Sequence, residues 1–178
     1  MDVRRYEGRA DARGIARVNA LAWRDAYEGL VPAAVLDRLD PDPDEEAVDG
    51  WHEGLAANRR GVFVAVERRD GSDDETVRGY ADVRWGDAGT KAFVGEGEAD
   101  LKAVYVDPDW WGEGVGTALL ERVLDALPDS VDTLRLEMLE GNEVGRRFYE
   151  ARGFERTGTA SHDIGGESHP TVVYSRAV

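Results

Sequence analysis

The first residues, "MDVRRYEG", alternate apolar and polar positions and predict a strand. The period then changes. Over residues 10–27, Ile15, Val18 and Ala22 share one face and Trp23 and Tyr27 stand four apart, which predicts a helix. "PAAVLDRLD" predicts a short helix opened by Pro32, whose fixed φ suits a first turn. The polar break "DPDPDEE" leads into a third helix running to about residue 58. "GVFVAVER" and "TVRGYADVRW" predict two strands, joined by a hairpin turn in "RDGSDDET" with its Asp-Gly signal. After the loop "GDAGTKAFVGEGEA", "ADLKAVYVD" predicts a strand. In "GVGTALLERVLDAL", Val115, Leu119, Val123 and Leu127 recur every fourth position while Glu121, Arg122 and Asp125 point away, so a helix is expected, ended before Pro128. "VDTLRLEML" predicts a strand. "NEVGRRFYEAR" predicts a helix capped by Asn142 and stopped at Gly153, and "GFERTGTA" and "HPTVVYSRAV" predict two last strands.

The predicted order is β-α-α-β-β-β-α-β-α-β-β. It describes one α/β domain over residues 1–178 with a mixed sheet, and no internal repeat or low-complexity segment interrupts it. A chain of this length with 42% apolar residues can bury a real core.

Charge changes the picture of the surroundings. There are 37 acidic residues against 22 basic ones, giving a formal net charge of −15, and only Lys91 and Lys102 are lysines. Acid excess with scarce lysine is expected of a protein working in concentrated salt, where the Debye length falls to roughly 3 Å at 1 M and self-repulsion is screened. Such a surface is a poor binder of nucleic acid. There is no cysteine, which excludes disulfides, thiolate metal sites and a cysteine nucleophile and fits a cytoplasmic location. No apolar run is long enough to span a membrane, and the N-terminus lacks the apolar stretch of a signal peptide. The three histidines lack helical zinc-ligand spacing, so no metal is expected; His162 and His169, near the last strands, read as surface histidines, with a place at the border of the site left open.

The stretch "DPDWWGEGVGTALL" carries the chemistry. Gly112, Gly114 and Gly116 alternate between a strand and the mouth of a helix, where backbone N–H groups and the helix dipole favour an anion. The dinucleotide fingerprint G-x-G-x-x-G fails, because the third glycine would fall on Thr117 or Leu119. The P-loop fails for want of a lysine.

The segment "DLKAVYVDPDWWGEGVGTALL" instead resembles the acetyl-CoA-binding core of the GNAT N-acetyltransferase superfamily. A second block, "LRLEMLEGNEVGRRFYEARGF", resembles the family downstream, with Asn142, Phe148, Tyr149, Gly153 and Phe154 in register. "IARVNALAWRDAYEGLVP" resembles the family's first helix and turn, so the likeness covers nearly the whole chain. It implies the GNAT fold: a central, mostly antiparallel sheet with two parallel strands splayed at the cofactor site. It implies acetyl-CoA as co-substrate, a small-molecule or peptide amine as acceptor, no nucleic-acid or membrane partner, and a homodimer as a state common in the family. Cofactor contacts are then expected from Val104, Tyr105, Val106, Trp111, Gly112, Glu113, Gly114, Val115, Gly116, Thr117, Asn142 and Tyr149. Trp111 stands where relatives carry Gln or Arg, and its ring is expected to pack on the loop. Glu113 stands where many carry a basic residue, and its charge is expected to repel CoA in dilute buffer.

The resemblance also implies direct transfer to a primary amine, with Tyr149 as the acid that protonates the leaving thiolate. Asp100 and Glu98 are the candidate bases, with Glu137 and a water chain left open. Trp23 and Tyr27 are candidate walls of the acceptor pocket; beside acidic residues they would favour a cationic amine. Phe148 reads as core. The alternative is a GNAT-fold module that senses acyl-CoA without turnover.

Overall fold

Seven strands form one sheet in the computed structural model, which describes residues 1–178. They are β1 (Asp2–Arg5), β2 (Val62–Arg68), β3 (Glu75–Arg84), β4 (Glu98–Val106), β5 (Thr133–Leu139), β6 (Glu155–Ile164) and β7 (Glu167–Ala177). Their spatial order is β1-β2-β3-β4-β5-β7-β6. Every neighbouring pair is antiparallel except β4 and β5, so the mixed α/β fold expected from the sequence is the one observed.

The helices are α1 (Arg9–Ala26), α2 (Ala33–Asp37), α3 (Glu45–Ala56), α4 (Val115–Ala126) and α5 (Glu143–Glu150). Strand alternation sorts the core into two layers. Val62, Val64 and Val66 of β2 meet Ile15 and Val18 of α1 and Val48 and Leu55 of α3 on one face. Phe63 and Ala65 of the same strand share the other face with Val115, Leu119 and Val123 of α4. The continuous apolar run "VFVAV" is therefore a strand covered on both sides.

Two features position the site. First, β4 and β5 pair only from Glu98↔Thr133 to Asp100↔Arg135 and then part. Beside the parting, β4 bulges: Asp82 faces Ala103 while Val83 faces Leu101, so Lys102 is the extra residue. An extra residue bends its strand and raises the local twist. Second, the last two strands are longer than the sequence suggested. The expected loop over residues 161–168 is instead a hairpin, closed by Gly165 and Gly166 at φ +62° and +84°. Two successive residues with positive φ match the twist of a tight hairpin. The tip lies against Val35 of α2, so the hairpin reaches over the sheet to the first helices.

Candidate active site

Where β4 and β5 part, a slot of about 340 Å³ opens between β4, α4 and α5. Its floor is the stretch of β4 from Leu101 to Val106 that β5 no longer pairs. Its mouth is the glycine loop. Gly112 and Gly114 hold φ of +84° and +82°, a left-handed conformation costly for any residue with a Cβ. A Cβ at either would meet nothing within 4 Å, so the cradle is open. Gly116 has a different reason. Its Cβ would come within 2.8 Å of the Phe148 ring, so glycine there lets α4 and α5 close up at the slot. Phe148, expected as core, is thus also slot wall.

Val104, Tyr105, Val106, Trp111, Val115, Thr117, Asn142 and Tyr149 line the slot together with the three glycines. Glu113 does not. It is exposed on the same loop, outside the slot wall. The Trp111 indole N–H donates to the Val106 carbonyl at 2.9 Å and so ties the loop to the strand end. Arg152, unnoticed in the sequence, supplies a cation in the slot. It donates to the Thr117 hydroxyl and to the Phe148 carbonyl, and its guanidinium stacks 3.8 Å from the Phe148 ring centre. Asn142 caps α5 by accepting from the Gly145 N–H at 3.0 Å, which leaves its amide nitrogen for a ligand. Tyr149 sits edge-on between Phe148 and Phe154. Burial, with the neighbouring Tyr105, pushes its phenol pKa up, so the proton stays on.

A second cavity, about 560 Å³, lies on the α1–α3 face of the sheet. Tyr27, Lys102, Ala103, Tyr105, Glu137 and Met138 belong to the walls of both cavities, so the two meet at the parting of β4 and β5. Trp23, Tyr27, Trp51, Tyr80 and Tyr105 give the second cavity an aromatic wall. Trp23 packs edge-on against Tyr27 at 4.8 Å between ring centres, and the Tyr27 and Tyr105 hydroxyls share a hydrogen bond at 2.9 Å. Trp23 of α1 and Tyr27 just past its end therefore serve as packing and as wall. His162 is exposed, as a surface histidine is, and also borders this cavity; the long hairpin carries it there.

The acidic residues fall differently from expectation. Glu98 pairs with Arg135 at 2.9 Å and accepts from the Gly95 N–H, away from both cavities. Asp100 is buried behind the wall, accepting from the Lys91 N–H at 3.3 Å; burial, partly offset by Lys91, raises its pKa. Glu137 is the carboxylate that borders both cavities. Burial opposes its charge, but Lys91 at 2.6 Å and the Thr171 hydroxyl at 2.7 Å outweigh it and hold its pKa low. Asp82 pairs with Arg84 at 3.0 Å. Asp82 and Glu137 thus line the cavity together with Trp23 and Tyr27, and each is paired with a cation.

Residues 16–154 match the family model described as Acetyltransferase (GNAT) family. Mycothiol acetyltransferase of Thermobifida fusca is 29% identical over 157 residues, 87% of this chain and 44% of that protein. Ribosomal protein bS18-alanine N-acetyltransferase of Escherichia coli is 43% identical over 58 residues, 32% of this chain and 39% of that one. The matches span less than half the length of these curated relatives. Among solved structures, PaiA N-acetyltransferase from Thermoplasma acidophilum, in complex with coenzyme A, has a TM-score of 0.70 over 100% of both chains at 16% identity, a likeness of fold.

Proposed function

This chain belongs to the GNAT acetyltransferase family, and we propose that it moves an acetyl group from acetyl-CoA to a primary amine by direct attack. The observation that carries the reading is the meeting of two cavities at the parting of β4 and β5, with Tyr149 on the slot side.

Acetyl-CoA supplies an acetyl group already activated as a thioester. The chain's part is to hold it, and backbone N–H groups over residues 112–117 suit a pyrophosphate at the α4 N-terminus. Arg152 beside Thr117 adds one full positive charge. An acidic protein can therefore keep an anion site by making it of amides and one arginine. The unpaired backbone of β4 and the amide nitrogen of Asn142 suit the amides of the pantetheine arm. Tyr149, kept protonated, donates to the sulfur as it leaves.

Both carboxylates on the cavity walls are engaged by cations. Glu137 is held ionised by Lys91, Asp82 is engaged in an ion pair with Arg84, and Asp100 lies behind the wall. The acceptor amine accordingly loses its proton to water, and Asp100 and Glu98 take no direct part.

No helix is long and apolar enough to cross a membrane. The acid excess supports a cytoplasmic protein of a salt-adapted cell, whose melting temperature should rise with added KCl. Calorimetric titration with acetyl-CoA at low and molar KCl, followed by thiol release with a panel of amines, tests the reading. Binding with amine-dependent release supports it. A folded protein that binds no acetyl-CoA at either salt overturns it.

A further inference from the structure

Both lysines of this chain stand in the wall of one cavity built from 21 of the 178 residues. Even scatter would not put them there, and elsewhere the chain's side-chain cations are arginines and histidines. The two are not equivalent. Lys91 is matched by Glu137, and Arg84, the other strong cation of the wall, by Asp82, which also accepts from the Asn58 amide at 2.8 Å. Lys102 forms no ion pair. It is the residue the β4 bulge adds, and it borders both cavities. His162 faces the same space, and Asp100 lies behind it with one carboxylate oxygen unpartnered. The wall itself carries Lys91, Lys102 and Arg84 against Glu137 and Asp82, with Asp100 behind it as the third acid, in a protein whose net charge is −15.

Lys102 is exposed where the two cavities meet, so its ammonium is solvated and free to meet a charge that a ligand brings. The phosphates of CoA are poor candidates. They belong at the glycine loop, and Lys102 lies four residues before Val106, about 13 Å back along the strand at the usual rise. Lys102 is thus at the reacting end of the slot, where the acceptor enters. An acceptor with a second positive charge would meet acids already paired and one repelling lysine. An acceptor with an anionic oxygen group would find Lys102 free, and an apolar body would lie on Trp23, Trp51 and Tyr80.

We propose that the acceptor is a zwitterionic primary amine, with an apolar body and an anionic oxygen group held by Lys102. The proposal rests on the acetyltransferase reading. It is tested with matched amines: L-phenylalanine against 2-phenylethylamine, L-leucine against isoamylamine, and O-phosphoethanolamine against ethanolamine, the last pair separating phosphate from carboxylate. The wild type should show kcat/KM about tenfold or more higher for the anionic member of at least one pair. Lys102→Met should erase that ratio and Lys102→Arg should keep it. Turnover in which the decarboxylated or unphosphorylated member does as well overturns the proposal and leaves the transferase reading standing. So does a Lys102→Met variant that weakens both members of a pair equally. If nothing is turned over, quenching of Trp23 and Trp51 fluorescence in the presence of CoA decides. Binding of the anionic member alone shows an anion site at Lys102 but sinks the transfer reading and the acceptor proposal with it; binding of neither overturns both and removes the anion site as well.

Discussion

The slot and the acceptor cavity share walls but are built by different means. The slot is made largely of main chain. Its mouth is a continuous run of loop and first helical turn, its floor a strand left unpaired, and the residues that shape it are glycines. The acceptor cavity is made of side chains from α1, α3, β3, β4, β5, β7 and the hairpin, brought together only by the fold. Main-chain recognition suits a constant ligand such as CoA and tolerates an acidic surface. Side-chain recognition can be retuned to a particular amine. The sources of positive potential differ accordingly: an amide cradle with one arginine at the slot, and Lys91 and Lys102 in the cavity, with Lys102 shared between the two.

The sharpest way to break this division is at Tyr149. Tyr149→Phe should lower kcat by about 10²- to 10⁴-fold while acetyl-CoA affinity changes by no more than about twofold. Thiol-release kinetics and calorimetry measured together check it; loss of affinity would make Tyr149 a wall instead of an acid. Next is Gly116. Gly116→Val drives a side chain into Phe148, where a Cβ already comes within 2.8 Å, and should cost about 1–3 kcal/mol of stability as well as cofactor affinity. Thermal melts with and without CoA separate the two losses.

Smaller effects sharpen the charge contrast. Arg152→Met should weaken acetyl-CoA binding about tenfold, whereas Glu113→Gln, at an exposed residue off the slot, should change it by less than about twofold. Equal effects would restore Glu113 to the cofactor site. The smallest concerns Asp100. Its folded pKa is raised above the ordinary 3.8, so its stabilising proton is lost as pH rises from the unfolded value through the folded one. At pH 7 the native state carries an unfavourable buried charge. Asp100→Asn should therefore raise stability at pH 7, with the gain vanishing below about pH 4. A loss at pH 7 would show that the charge supports the Lys91 loop.

The same division explains what the sequence could reveal. Gly112, Gly114 and Gly116 sit within five residues, and the cap at Asn142 is local to its helix, so the slot could be read from short stretches. The apolar periods of α1 and α4 likewise gave those helices directly. The acceptor cavity could not be read this way. Glu137 and Lys91 are 46 residues apart and meet only because the sheet brings them together. The place of exposed His162 at the cavity is hidden when residues 161–168 read as a loop; the Gly165–Gly166 pair is the available signal for a hairpin. The bulge at Lys102 depends on register between β3 and β4, which no single segment encodes. Arg152 went unnoticed because its partners, Thr117 and Phe148, belong to two different helices.

The central claim is that the two cavities form one reaction site. A conjugate in which the sulfur of CoA is joined through an acetyl linker to the nitrogen of L-leucine would have to occupy both at once, and its affinity relative to CoA can be measured by calorimetry in molar KCl. The account predicts that the conjugate binds at least about tenfold more tightly than CoA, because the second cavity is engaged at high effective concentration. A conjugate that binds no better than CoA would mean that the cavities do not communicate, and the site described here would not be the site of transfer.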